Sequence, residues 1–150
     1  MIDSYSFFGL GKQEFTKLPN NVYLLGIMSE KIPIAPLGEF TEGRTFKFVI
    51  PDKNGTKRDA FAFRRGENFF AYYNECSHIC LPLDWDDNDF FTLDHQRLMC
   101  KHHGAEYLHD TGECVEGPCV GARLKKIEIL VDDGVVVVKL NSASDTNPLV

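Results

Sequence analysis

Residues 100–118 read CKHHGAEYLHDTGECVEGP, and the rest of the chain is read outward from them. Cys100 and His103 form a C-x-x-H pair. Upstream, Cys76-Ser77-His78 forms a second pair, C-x-H, and residues 79–99 separate the two. Each pair offers one soft thiolate and one imidazole. Thiolates suit zinc and iron–sulfur clusters, and imidazole suits zinc and iron. Two cysteines and two histidines can close a tetrahedral zinc site. The same four can divide between two irons, with both thiolates on one and both imidazoles on the other. Spacing alone leaves both arrangements open.

The residues after the second pair separate them. His103-Gly104 is followed by the aromatic Tyr107, then by Thr111-Gly112 and Gly117-Pro118. With the two ligand pairs, this pattern closely resembles the Rieske ferredoxins, over roughly residues 32–140. The resemblance implies one [2Fe–2S] cluster per chain. Cys76 and Cys100 would hold the inner ferric ion, and His78 and His103 the outer iron, with their far ring nitrogens facing solvent. Gly104 would let backbone pass close to the cluster, and Gly117-Pro118 would form a stiff third loop over it. Tyr107 matches a position whose hydroxyl, in respiratory Rieske proteins, bonds the sulfur of the first cysteine ligand. Ala105 stands where those proteins place a serine that bonds a bridging sulfide.

The donor set has an electrostatic consequence. Two thiolates, two sulfides and two ferric ions make the oxidised site formally neutral, whereas four thiolates would add about two negative charges. An electron enters a neutral site more easily, so the potential is expected within roughly −150 to +300 mV. Alanine at 105 places it in the lower part of that range.

The chain departs from the family pattern in places. Residues 79–99 are longer than the usual inter-pair segment, and Cys80 replaces a common glycine. Respiratory Rieske proteins brace the two cluster loops with a disulfide. Here His102 takes the position of its second cysteine and Cys80 falls one residue short of the first, so that brace is expected to be absent. Five cysteines cannot all pair. Cys80, Cys114 and Cys119 read as small packing residues in a reducing compartment, with a bridge among them as an alternative that the sequence does not support. His102 is expected to point away from the cluster, with His95 and His109 in surface turns. Asp84-Trp85-Asp86-Asp87-Asn88-Asp89 reads as a solvated acidic turn, or as a docking patch anchored by Trp85.

Strand patterns flank the ligand segment. Phe46, Phe48 and Ile50 share one face by period-2 alternation. The residues from Pro51 to Gly55 are dense in turn formers. Ala60-Phe61-Ala62-Phe63 alternates again, Arg64 to Asn68 turns, and Phe69 to Tyr73 runs into the first pair. Ile127, Ile129 and Val131 alternate up to Asp132-Asp133-Gly134, whose Asp-Gly is a hairpin signal, and Val135 to Val138 returns. No stretch shows a sustained 3.6-residue apolar period. The chain therefore reads as all-β: an antiparallel β-sandwich or barrel base. The family implies a small cluster-binding subdomain inserted into it. The expected divisions are an N-terminal extension over 1–30, the Rieske domain over 31–141 with its subdomain at about 75–119, and a polar tail over 142–150.

A net charge of −6 argues against a nucleic-acid backbone as partner and permits a protein partner with a basic docking face. No apolar run reaches the length of a membrane span. The first residues lack the features of a secretory signal, so a cytoplasmic location is expected. The expected function is a soluble one-electron carrier, exchanging electrons with a partner oxygenase or reductase. It would have no independent catalysis, being the electron-transfer component of an oxidoreductase system. The alternatives are a redox sensor, and a structural zinc or mononuclear iron module acting in protein interaction. A red-brown protein with iron and labile sulfide separates the cluster from colourless zinc.

Overall fold

The computed structural model describes residues 16–18, 22–24, 31–51 and 54–140. The rest of the expected N-terminal extension, the tail over 142–150 and the middle of the Pro51–Gly55 turn lie outside the described residues. Two strands of the extension are described: β1 (Thr16–Leu18) and β2 (Val22–Leu24), paired antiparallel.

The central element is an antiparallel sheet of β4 (Thr45–Pro51), β5 (Lys57–Arg65) and β6 (Asn68–Tyr73), with β5 in the middle. Its register sets Phe46 opposite Ala62, and Ala62 opposite Ala71, so these three share a face. Phe48, Ile50 and Ala60 lie on that face too. Phe61, Phe63 and Tyr72 point the other way, and all three are buried. The alternation Ala60-Phe61-Ala62-Phe63 is thus small against large, with both faces covered.

The alanine face packs against a second antiparallel sheet, of β3 (Lys31–Pro36), β10 (Ile129–Asp132) and β11 (Val135–Lys139). Ile34, Ala35, Phe40, Ile127, Val136 and Val138 complete that core. The β10–β11 turn is the Asp-Gly hairpin expected from the sequence: Asp133 and Gly134 have φ of +46° and +77°, as a type I′ turn requires. β2 lies beside β3 and β4.

The aromatic face carries a third sheet, of β7 (Leu98–Cys100), β8 (Ala105–Tyr107) and β9 (Cys114–Glu116). Phe61 stacks on Phe90 at 3.9 Å between ring centroids, and Phe63 meets Phe91 edge-on at 5.3 Å. The long segment between the ligand pairs supplies these two phenylalanines. It folds back on β7, with Met99 donating to the Phe90 carbonyl at 2.8 Å and Thr92 to that of Arg97 at 3.0 Å. The extra length is therefore a hairpin that seals one side of the central sheet.

Candidate metal centre

The second pair occupies the β7–β8 turn. Cys100 ends β7 and pairs in register with Ala105. Gly104 donates to the Cys100 carbonyl at 2.9 Å with φ of +70°, a conformation glycine adopts without strain. A Cβ on Gly104 would meet no protein atom within 4 Å, so it is the turn, not crowding by the protein, that selects glycine there. The first pair follows β6 on a loop closed by the Cys76 N–H on the Leu81 carbonyl, at 2.8 Å.

The third loop lies against the second. A Cβ on Gly117 would meet the Ala105 Cα at 2.8 Å and the Gly104 carbonyl oxygen at 3.0 Å. Only glycine permits that approach, and Pro118 stiffens the residue after it.

Folding brings the four donors together in two pairs. The Cys76 and Cys100 thiols are both buried and close enough to perturb each other's ionisation. His78 and His103 are exposed, with ring centroids 5.2 Å apart at 89°. Among the described residues, no three His, Cys, Asp or Glu side chains converge on one point as a single ion requires. A closed zinc tetrahedron needs such convergence. A buried thiol pair beside an exposed imidazole pair is instead the division that two irons require.

The two sulfurs differ in how readily they take negative charge. Burial raises the Cys76 thiol. The Tyr107 hydroxyl, the N–H groups of His78 and Ile79 and the Cys100 thiol outweigh it, so Cys76 falls below the ordinary cysteine value. Cys100 is pushed up to about 11, first by burial and then by the neighbouring Cys76, although the N–H groups of His102 and His103 oppose the rise. The surroundings thus favour the thiolate at Cys76 over that at Cys100, and a bound cation would favour the thiolate at both.

Tyr107 is the hub of this arrangement. It is fully buried, and its hydroxyl lies 3.2 Å from the Cys76 sulfur, the contact expected from the sequence. It also accepts from the Ser77 N–H at 3.2 Å and touches the Cys119 sulfur at 3.2 Å. Burial raises its pKa well above the phenolic range, so the group stays neutral and keeps its proton.

Other expected residues fall elsewhere. His102 is exposed, its ring 6.5 Å from Trp85 and 6.4 Å from His103. His95 is exposed in its turn. His109 is not a surface residue of the kind expected: its Nδ1 is buried, its ring lies against Phe70 and its carbonyl accepts from the Tyr72 hydroxyl at 3.0 Å.

The acidic turn is also corrected. Asp84 is buried and accepts from Asn74 Nδ2 at 2.8 Å, Lys47 Nζ at 3.1 Å and the Asn88 N–H at 3.1 Å. Lys47 also meets Asp86 at 2.7 Å, while Lys101 meets Asp87 and Asp89. Four carboxylates thus share two ammonium groups, which leaves a weaker acidic patch than the sequence suggests. Lys101 also donates its N–H to the Leu83 carbonyl at 2.8 Å, tying the two ligand loops together without a disulfide. One sequence signal pointed to this anchor: Lys47 alternates with Phe46 and Phe48, on the face away from the alanine-side core.

The fold and the paired donors are those expected of an iron–sulfur domain with two cysteine and two histidine ligands. The Rieske [2Fe–2S] domain model matches residues 30–139, and the chain belongs to that family. Its domain carries a [2Fe–2S] cluster, and the residues here fit one. No curated protein matches the chain significantly in sequence. Solved structures share the fold. The ferredoxin of carbazole 1,9a-dioxygenase from Nocardioides aromaticivorans matches at TM-score 0.57 and 24% identity, over 75% of this chain and all (100%) of that one. A chain in a complex of reduced oxygenase and oxidised ferredoxin of carbazole 1,9a-dioxygenase matches at 0.58 and 22%, over 77% and 97%. The terminal oxygenase of carbazole 1,9a-dioxygenase from a Novosphingobium species matches at 0.61 and 17%, over 78% of this chain but only 31% of that chain.

Proposed function

We propose that this protein is a one-electron carrier, with Cys76, His78, Cys100 and His103 as the ligands of its cluster, serving a partner oxygenase or reductase in the cytoplasm. The observation that carries the reading is the split of the donor set, thiols buried and imidazoles exposed. When bound, the cluster supplies reversible one-electron chemistry. The protein's own residues do the rest. Tyr107 and the backbone N–H groups hold the sulfurs, and Gly117-Pro118 covers one side. His78 and His103 are the donors that solvent, and therefore a partner, can reach.

Apolar residues are exposed on the same segments as these imidazoles: Ile79, Leu81 and Trp85 after His78, and Val120 on the third loop. Exposed apolar side chains of this kind fit a protein partner better than a small substrate. The structural neighbours include a ferredoxin bound to its oxygenase, which favours an oxygenase as the acceptor. The domain is read as 31–141, with the cluster subdomain at about 75–119.

The purified protein should be red-brown, with about two iron and two labile sulfide per chain. Cys100→Ser and His103→Ala should each lose the visible absorption and the reduced-state EPR signal, while His102→Ala keeps both. A normal signal in either ligand variant would refute the assignment. With a partner in hand, reduction kinetics should slow as salt rises, because complementary charge acts mainly on the association rate.

A further inference from the structure

A second pair of thiols lies behind the first. The sulfurs of Cys114 and Cys119 are 3.2 Å apart. Both belong to a loop already closed by backbone hydrogen bonds, from Gly121 to the Cys114 carbonyl and from Ala122 to the Cys119 carbonyl, each 2.9 Å. A disulfide needs about 2.05 Å between sulfurs, so the two must approach by only about 1.2 Å. Cys114 is buried and Cys119 half-buried, so Cys119 is the one an oxidant meets first.

The pair is coupled to the candidate centre through one hydrogen atom. The Tyr107 oxygen is 3.2 Å from the Cys76 sulfur and 3.2 Å from the Cys119 sulfur. The Ser77 N–H occupies one of its acceptor sites. The hydroxyl has a single proton, and the Cys76 and Cys119 sulfurs both lie within reach of it. Cys119 keeps its claim only while it stays where the thiol now lies.

We propose that Cys114 and Cys119 form a two-electron thiol–disulfide switch, whose closure draws the Cys119 sulfur toward Cys114 and gives the Tyr107 hydroxyl wholly to Cys76. The oxidant is a low-molecular-weight disulfide of the glutathione class. The Cys119 thiolate attacks one of its sulfurs and expels one glutathione thiolate. The Cys114 thiolate then attacks the Cys119 sulfur of the mixed disulfide and expels the second. One S–S bond breaks and one forms. The two cysteine protons end on the two glutathione thiols, which have received the two electrons. Burial, first among the causes that push the Cys114 thiol up to about 11, makes that second step the slow one.

The second half of this proposal, the effect on Cys76, rests on the cluster reading; the bridge itself does not. Trypsin cuts after Lys101 and Arg123, and the peptide between them holds Cys114 and Cys119 and no other cysteine. The cluster-loaded, full-length protein is treated with oxidised glutathione, denatured, alkylated and digested. The peptide should change from doubly alkylated to unalkylated and lighter by two hydrogens. Double alkylation after treatment, or a lasting glutathione adduct, overturns the switch.

Midpoint potentials test the coupling. The wild type should move to a higher potential on oxidation and return with dithiothreitol. Cys114→Ala should form no bridge and show no response. Tyr107→Phe should still form the bridge but lose the response. A response that survives in Tyr107→Phe overturns the role of the hydroxyl, because a purely structural effect of the loop would not depend on it. Absence of iron and sulfide in every sample, with the peptide result intact, would count against the cluster reading and not against the bridge.

Discussion

The two faces of the central sheet come from the same strands and solve different problems. On one face, Phe46, Phe48, Ile50, Ala60, Ala62 and Ala71 meet an apolar sheet, and burial of hydrocarbon accounts for the contact. On the other, Phe61, Phe63 and Tyr72 meet a subdomain that also buries Asp84, Asn74, Tyr107 and three thiols. The apolar face tolerates any filling of the right volume. The polar face must satisfy each buried donor and acceptor, because an unpartnered one costs stability. The alanine face thus supplies a scaffold, and the aromatic face holds a fragile set of sulfurs against it.

The widest test of that difference is a matched pair of deletions. Phe46→Ala and Phe61→Ala each remove a fully buried ring, and each should cost about 3–5 kcal/mol. Only the second removes the stack on Phe90. In urea, Phe46→Ala should unfold the protein earlier while visible absorption and overall structure are lost together. Phe61→Ala should lose absorption before the strands melt. Coincident curves in both variants would erase the distinction between the faces.

Asp84→Ala probes the polar face alone. It strips partners from Asn74, the Asn88 N–H and Lys47 at once. Breaking a buried ion pair costs about 3–5 kcal/mol, and because Lys47 is partly exposed and keeps Asp86, about 2–4 kcal/mol is expected. Adding Lys47→Met should restore part of the loss, since the ammonium that has lost its buried partner is then gone. A double variant no more stable than the single would show that the cation contributes nothing to the penalty.

Smaller in free energy, but specific to the sulfurs, are changes at Tyr107 and Ala105. A hydrogen bond to a charged group is worth roughly 1.5–3 kcal/mol, and only the difference between redox states moves the potential, so Tyr107→Phe should lower it by about 50–100 mV. Ala105→Ser should raise it by a similar roughly 50–100 mV if the hydroxyl reaches a bridging sulfide. Film voltammetry on both variants decides this. A rise in Tyr107→Phe would mean that its contact with Cys76 does not favour the reduced state.

How much of this was legible in the sequence follows the same division. The alanine face was, because period-2 alternation and the Asp133-Gly134 turn are local signals. The two donor pairs were visible by residue type and spacing, whereas the contact of Tyr107 with Cys76 was expected only from the family resemblance. Strand β3 went unread, because Pro33 and Pro36 interrupt its alternation and proline argues against a strand. Asp84 was misread because five neighbours in the run Asp84 to Asp89 are polar or exposed, and nothing local shows that Lys47, from a distant strand, reaches it. The proximity of Cys114 and Cys119 depends on how the Gly117-Pro118 loop turns back, a geometry their five-residue spacing does not specify.

The smallest expected effect comes from the other carboxylate on Lys47. Asp86 lies 2.7 Å from its ammonium, yet is almost fully exposed. Its hydrogen bond to Lys47, and then the charge of Lys47, hold its carboxyl below the ordinary aspartate value. A folded value below the unfolded one means stability that is present above the unfolded value, about 3.9, and is lost as pH falls through the folded one. Asp86→Asn should therefore be slightly less stable than wild type at neutral pH and equal to it in acid. Asparagine tolerates the backbone φ of +64° at this position, so the comparison isolates the charge. Molar salt, with a screening length of about 3 Å, should shrink the neutral-pH difference, whereas the deficit of Asp84→Ala should persist because that carboxylate is buried. Paired urea midpoints at neutral and acid pH, with and without salt, provide the measurement. A deficit in Asp86→Asn that survives both acid and salt would mean that the exposed carboxylate is structural, like Asp84.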